Sequence, residues 1–182
     1  MADEGLEVGR EYPAVRPRML HDLAACESLA RAVHRHDRYP IVLQDDVRKF
    51  LAPSSQLAAW IAEHHSIIVG HVALHRPVSG AMTTVVCEAT GVDPSRVGVV
   101  SRLMVARNAR RKRLGCRLLT VAADEAHRRG LLPALDVVTG YAPAIAMYET
   151  EGWQRIGRIS ISMPSDVLVE EYVYVRPATR TD

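Results

Sequence analysis

"VGVVSRLMVARNARRKRLGCRLL", residues 97–119, changes character twice. Residues 97–105 are a near-continuous apolar run, of strand length and apolar enough to be covered on both faces. Then Arg107, Arg110, Arg111, Lys112, Arg113 and Arg117 crowd together with no acidic residue among them. From Leu114, apolar Leu118, Val121, Ala122 and Ala126 recur at helical spacing until Gly130 ends the run. The stretch therefore reads as a central strand, a basic loop and a helix N-terminus. Like charges this close repel one another unless an anion sits among them. Solvent counter-ions, a nucleic acid and a phosphorylated cofactor are the alternatives.

The remaining composition narrows the choice. The 182 residues suit a single domain, 1–182, with a polar, acidic tail of about residues 1–11 that is expected to be flexible and is unlike a signal peptide. A net charge of +2 makes the basic run a local feature and argues against a polyanion-binding protein. Two lysines stand against 21 arginines, a skew that reads as coding bias, so the position of the charges carries the argument. No aromatic residue interleaves with them, as a single-strand stacking platform would need. The three cysteines, Cys26, Cys87 and Cys116, have no metal or disulfide spacing and fit a reducing cytoplasm. No apolar run approaches the roughly 20 residues of a membrane span.

Elsewhere residues 12–18 read as a strand, and Asp22 caps a helix with Leu23, Cys26, Leu29, Ala30 and Val33 on one face. Residues 34–46 read as a loop, and Asp45 or Asp46 caps a short helix bearing Val47, Phe50 and Leu51. Residues 56–76 read as a hairpin turning at "EHHS". Met82, Val85, Val86 and Ala89 favour a helix ending at Gly91. Residues 133–138, "PALDVV", form a second buried strand, Pro143 opens a helix that Gly152 ends, and strands over 153–159 and 171–175 close the chain. The strand–helix–strand order around the basic loop predicts a parallel pair, with ligand bound beyond its C-terminal ends.

A loop between a buried strand and a helix N-terminus is where free N–H groups and the helix dipole favour an anion. Gly115 in the first helical turn lets a ligand approach the backbone. The segment "SRLMVARNARRKRLGCRLL" resembles the acyl-CoA-binding motif of the GNAT superfamily of N-acetyltransferases, Arg/Gln-x-x-Gly-x-Gly/Ala, with Arg110 first and Gly115 last. "AIAMYETEGW" resembles the family's later segment, with "LDVV" as the strand between. The resemblance implies an α/β (α+β) fold: a mixed, mostly antiparallel central sheet flanked by helices, with a parallel strand pair at the cofactor site.

It also implies acetyl-CoA as co-substrate. Arg110, Arg111, Lys112, Arg113, Leu114, Gly115 and Cys116 would surround its pyrophosphate, and Leu103, Met104 and Val105 would align its pantetheine arm. Two positions depart from the pattern. Arg113 stands where the family has Gly, and Tyr141 stands where it often has a cofactor-contacting Asn.

Acetyl transfer to an amine needs a fixed thioester, a stabilised carbonyl oxygen, a deprotonated amine and a protonated leaving thiolate. The resemblance makes Tyr148 the acid, its phenol facing a thiolate of comparable basicity. Asp136, Glu88, His71 and His75 are titratable alternatives for the base, and the residues alone do not choose among them. No metal site is read, since His34, His36, His64 and His65 lack further ligands nearby.

The amine acceptor, a small molecule or protein, is expected at "HRHDRYPIVLQDD" and "ISMPSDVLVEEY"; Glu170 and Glu171 there could attract an ammonium group, but are read first as solvated. A homodimer is common in the family; no nucleic acid or membrane partner is expected. The reading from another class is a non-catalytic acyl-CoA-binding or sensing domain, which turnover distinguishes.

Overall fold

The computed structural model describes residues 12–163 and 167–178. The expected N-terminal tail and residues 164–166 of the second acceptor segment lie outside them. Seven strands form one sheet: β1 (Ala14–Pro17), β2 (Gln56–His64), β3 (Ile67–His75), β4 (Val97–Val105), β5 (Leu132–Val138), β6 (Gln154–Ser162) and β7 (Leu168–Val175). Their order is β1-β2-β3-β4-β5-β7-β6. Every neighbouring pair is antiparallel except β4 and β5. The apolar run at 97–105 is thus the middle strand, and the mixed, mostly antiparallel sheet with one parallel pair is as expected.

Five helices cover the sheet: α1 (Leu23–Asp37), α2 (Val47–Leu51), α3 (Ala81–Thr90), α4 (Leu114–Arg128) and α5 (Ala142–Thr150). Side chains alternate between faces along each strand, so each strand feeds two cores. Trp60, Val72, Leu74, Val100, Leu135 and Val137 pack with Leu118, Leu119 and Ala122 of α4 and Tyr148 of α5. On the opposite face Ile61 and Met104 pack under α1 and α2. Val97, Ala134, Val173 and Val175 pack on that same face under α3. On this face polar strand residues, among them His75, Arg102 and Asp136, line a cleft that reaches the start of α3.

Several boundaries move by a few residues. α1 continues through Asp37, where a loop was expected from residue 34, and Arg38 closes it in the left-handed conformation. The last two strands run longer than their apolar cores suggest. Asp22 does precede α1, but its carboxylate accepts from Met19 N–H at 2.6 Å and from the Arg16 guanidinium at 2.7 and 2.9 Å, not from the first helical turn. Arg16 pulls the Asp22 carboxyl down to about 2.

Candidate active site

The parallel pair lasts for three registered residues, Val97 with Leu132, Gly98 with Pro133 and Val99 with Ala134. Beyond them the strands part. The cause is a bulge in β4: Ala73 of β3 faces Ser101, but His71 faces Met104, so β4 holds one residue more. Arg102 absorbs it with φ of 55°. A bulge bends its strand and sharpens the local twist. The resulting slot of about 420 Å³ is lined by residues 100–105 of β4, residues 135–138 of β5, Tyr39, Tyr141, Tyr148 and Glu171. Each wall is a strand edge without its sheet neighbour, a template for an extended, amide-bearing ligand.

The basic loop stands at one mouth of the slot. Arg111 and Arg113 both have positive φ, 63° and 55°. Left-handed residues in such a loop turn successive N–H groups inward to form an anion-binding concavity. The N–H groups of residues 111–113 have no acceptor among the described residues, and those of Leu114, Gly115 and Cys116 are first-turn donors of α4 without intrahelical partners.

The side chains are employed differently. Arg110 donates to Val105 O at 3.1 Å and grips Asp37 of α1 with both terminal nitrogens, so it braces the loop. Arg117 donates to Pro13 O and Arg113 pairs with Glu151 at 3.3 Å. Arg111 and Lys112 are exposed and unpaired among the described residues. With Arg113 and Arg117 they line a broader groove of about 1440 Å³ that runs along α4 past Thr120 and Asp124 to His64.

Two of the expected site residues also make structural contacts. A Cβ on Gly115 would lie 3.1 Å from Met147 Sδ of α5, so the glycine serves helix–helix approach. Tyr141 lines the slot, but its hydroxyl donates to Arg38 O at 3.0 Å, tying the α5 N-terminus to the end of α1. Burial pushes the Cys116 thiol up, and Glu151 beside it adds to that, the opposite of an activated nucleophile.

Within the slot, Tyr148 is 8% exposed and packs against the Trp153 and Tyr174 rings at 6.3 and 6.0 Å. Its hydroxyl bonds to no described residue, and burial raises its pKa far above that of a free phenol. It therefore stays protonated at any working pH. Tyr39, which the sequence reading did not single out, lies in the same slot with its pKa pushed up to about 12, mainly by burial.

Asp136 and Glu171 are diagonal neighbours on one face of β5 and β7, since Glu171 is registered with Val138. Their carboxyls lie close enough to perturb each other's ionisation. Burial first, and then the Asp136 charge, push Glu171 up to about 7; burial also raises Asp136. The pair thus holds a proton near neutrality, and Glu171 Oε2 is buried without a hydrogen-bond partner among the described residues. Glu171 had been expected to be solvated. Glu170, one residue away, points to Arg158 and Ser160 instead. Glu88 is exposed on α3 and does not line the slot.

His71 and His75 of β3 are buried on the same face as Asp136. Desolvation lowers them to about 4 and about 3, with nearby arginines adding to the effect. Each is therefore neutral at pH 7 and unsuited to act as a base that becomes charged.

The sequence profile described as the Acetyltransferase (GNAT) family matches residues 17–153. No curated protein sequence matches the chain. Among solved structures, the ribosomal-protein-S18-alanine N-acetyltransferase from Escherichia coli superposes with a TM-score of 0.67 at 16% identity, covering 93% of this chain and 96% of its own. NAA60 of Arabidopsis thaliana in complex with acetyl-CoA gives 0.69 at 18% identity, covering 89% and 96%. A ribosomal-protein-alanine N-acetyltransferase from Brucella melitensis gives 0.68 at 16% identity, covering 90% and 98%. At these identities the likeness is one of fold.

Proposed function

The chain belongs to the acetyltransferase (GNAT) family, whose reaction draws an acetyl group from acetyl-CoA, and on that premise we propose that the β4–β5 slot is where this chain performs the transfer to a primary amine. Acetyl-CoA supplies the activated acetyl thioester. The observation that carries the assignment is the parting of β4 and β5 after Val99 and Ala134, with a run of unbonded N–H groups at the mouth of the gap. The described residues form one N-acetyltransferase domain in this reading, and three free thiols suit a cytoplasmic setting.

The N–H groups of Arg111, Lys112, Arg113, Leu114, Gly115 and Cys116 hold the pyrophosphate. The cationic side chains that line the groove along α4 attract the remaining phosphate. The free edge of Leu103, Met104 and Val105 accepts the pantetheine amides as an added strand, and an N–H of this edge polarises the thioester carbonyl. Arg110 keeps the loop in place through Asp37.

Asp136 and Glu171 take the proton of the acceptor ammonium, a task suited to a pair poised near neutrality. The amine nitrogen then bonds to the carbonyl carbon as the carbon–sulfur bond breaks. The second proton, which the nitrogen sheds on becoming an amide, passes to the departing sulfur, to which Tyr148 donates a hydrogen bond. The raised pKa of Tyr148 makes full transfer from the phenol uphill, so the hydroxyl keeps its hydrogen and steadies the charge on sulfur as the thiolate leaves.

An amine-panel assay with mass detection tests the reading. The expected result is an acetylated amine and one equivalent of free CoA. Tight acetyl-CoA binding with no transfer to any amine would make the chain a sensor instead.

A further inference from the structure

The chemistry of the acceptor is written on the face that carries His71 and His75. There a second cleft of about 520 Å³ adjoins the slot; Ser101, Arg102 and Asp136 line both. Arg102 is the left-handed bulge residue, and its guanidinium lies over the Phe50 ring at 4.7 Å. It donates to Phe50 O, to Ser101 Oγ at 2.8 Å and to His75 Nε2 at 2.6 Å. All three partners are neutral. Arg18, on the same side, likewise donates only to Leu51 O, Gln56 Oε1 and His71 Nε2. Among the described residues no carboxylate pairs with either guanidinium. A half-buried cation pair without a counter-ion is costly, and a ligand anion would relieve it.

His75 adds a second, independent signal. A guanidinium only donates, so Nε2 of His75 must accept and the ring proton sits on Nδ1. His75 is 3% exposed, and this Nδ1–H has no partner among the described residues. Buried N–H donors are rarely left unsatisfied, and this residue lines the cleft. The uncapped N-terminus of α3, at Gly80 and Ala81, forms another wall with its free N–H groups. Donors and positive charge thus line a cleft that Asp136 also lines, with Glu171 beside Asp136 in the adjoining slot.

We infer that the acceptor is a small amine that also carries a carboxylate, a free amino acid in its chemistry. Its amine is held toward Asp136 and Glu171, and its carboxylate is held by Arg102, the His75 Nδ1–H and the α3 N-terminus. A peptide N-terminus offers a neutral carbonyl at the same place and leaves the guanidinium unanswered.

This rests on the acetyl-transfer reading, and one pair of experiments separates the two. The first measures kcat/KM for free amino acids against their carboxamides. The carboxamide amines are less basic and start with more free base, a bias against the expected result. A lost charged hydrogen bond is worth about 10- to 100-fold, so the acids should be preferred by at least about tenfold, and Arg102→Gln should shrink that preference to below about threefold.

The second needs neither turnover nor a variant. Calorimetry on the wild-type protein loaded with CoA compares N-acetyl amino acids with N-acetyl amino-acid carboxamides. Carboxylates bound at least about tenfold tighter are expected by the same arithmetic. Equal binding, or none, overturns the inference. A carboxylate preference in binding with no amine acetylated overturns the acetyl-transfer reading instead.

Discussion

Replacing Arg113 tests how the basic loop is built. The residue precedes α4 with φ of 55° and ψ of 18°, and its guanidinium is 81% exposed beside Glu151. Exposed pairs of this kind contribute about 0–1 kcal/mol, so Arg113→Ala should lie within about 0.5 kcal/mol of wild type. The alanine keeps a Cβ in the left-handed region, which costs roughly 1–2 kcal/mol. Glycine removes that strain but adds about 0.5–1 kcal/mol of chain entropy in the unfolded state. The difference leaves Arg113→Gly more stable than Arg113→Ala by about 1 kcal/mol, or about 2–4 °C in Tm for a chain of this size. Differential scanning calorimetry on the three ligand-free proteins reads this directly. In parallel, Arg113→Gly should bind acetyl-CoA at least as well as wild type, because the N–H is kept. A glycine variant no more stable than the alanine variant would refute the strain argument.

Tyr148→Phe keeps the ring packing against Trp153 and Tyr174 and removes only the donor; kcat should fall by about 10²–10⁴-fold, with acetyl-CoA affinity little changed, and near-normal turnover would leave Tyr148 as a packing residue. The Asp136–Glu171 pair must be deprotonated to act, so kcat/KM should rise with pH through about 7 and level off above it; a profile flat from pH 6 to 8 contradicts the assignment. Stability carries two opposing pH terms. Glu171 binds its proton more tightly folded than unfolded, so its term destabilises as pH rises from 4.5 toward 7; His71 and His75 bind protons less well folded, so theirs is full above 6.5 and lost as pH falls toward 4 and 3. In a Glu171→Gln background the urea midpoint should therefore drop between pH 6.5 and 5, ahead of ordinary carboxylates, and a midpoint constant over that window would show that the histidines protonate without cost.

The strand, loop and helix at 97–119 were readable because their signals are local. An apolar run, a charge cluster and helical spacing each sit within one stretch, and Val97–Val105 and Leu114–Arg128 emerge with nearly the expected ends. The bulge at Arg102 was not, because an arginine in the left-handed region carries no mark in the sequence. Glu171 and Asp136 are 35 positions apart and become a pair only through the β5–β7 register. Tyr39 enters the slot because α1 runs past its expected end and then turns sharply. Arg110 matched the motif position, yet the structure engages it with Asp37, which only the packing of α1 beside the loop could reveal.

Backbone hydrogen exchange with and without acetyl-CoA tests the central claim most directly. The account predicts slowed exchange at residues 103–105 and 111–116, with β1, α2 and β6 unaffected. Protection confined to the outer side of α4 around Thr120 and Asp124, with the β4 edge unchanged, would place the cofactor in the broad groove and contradict it.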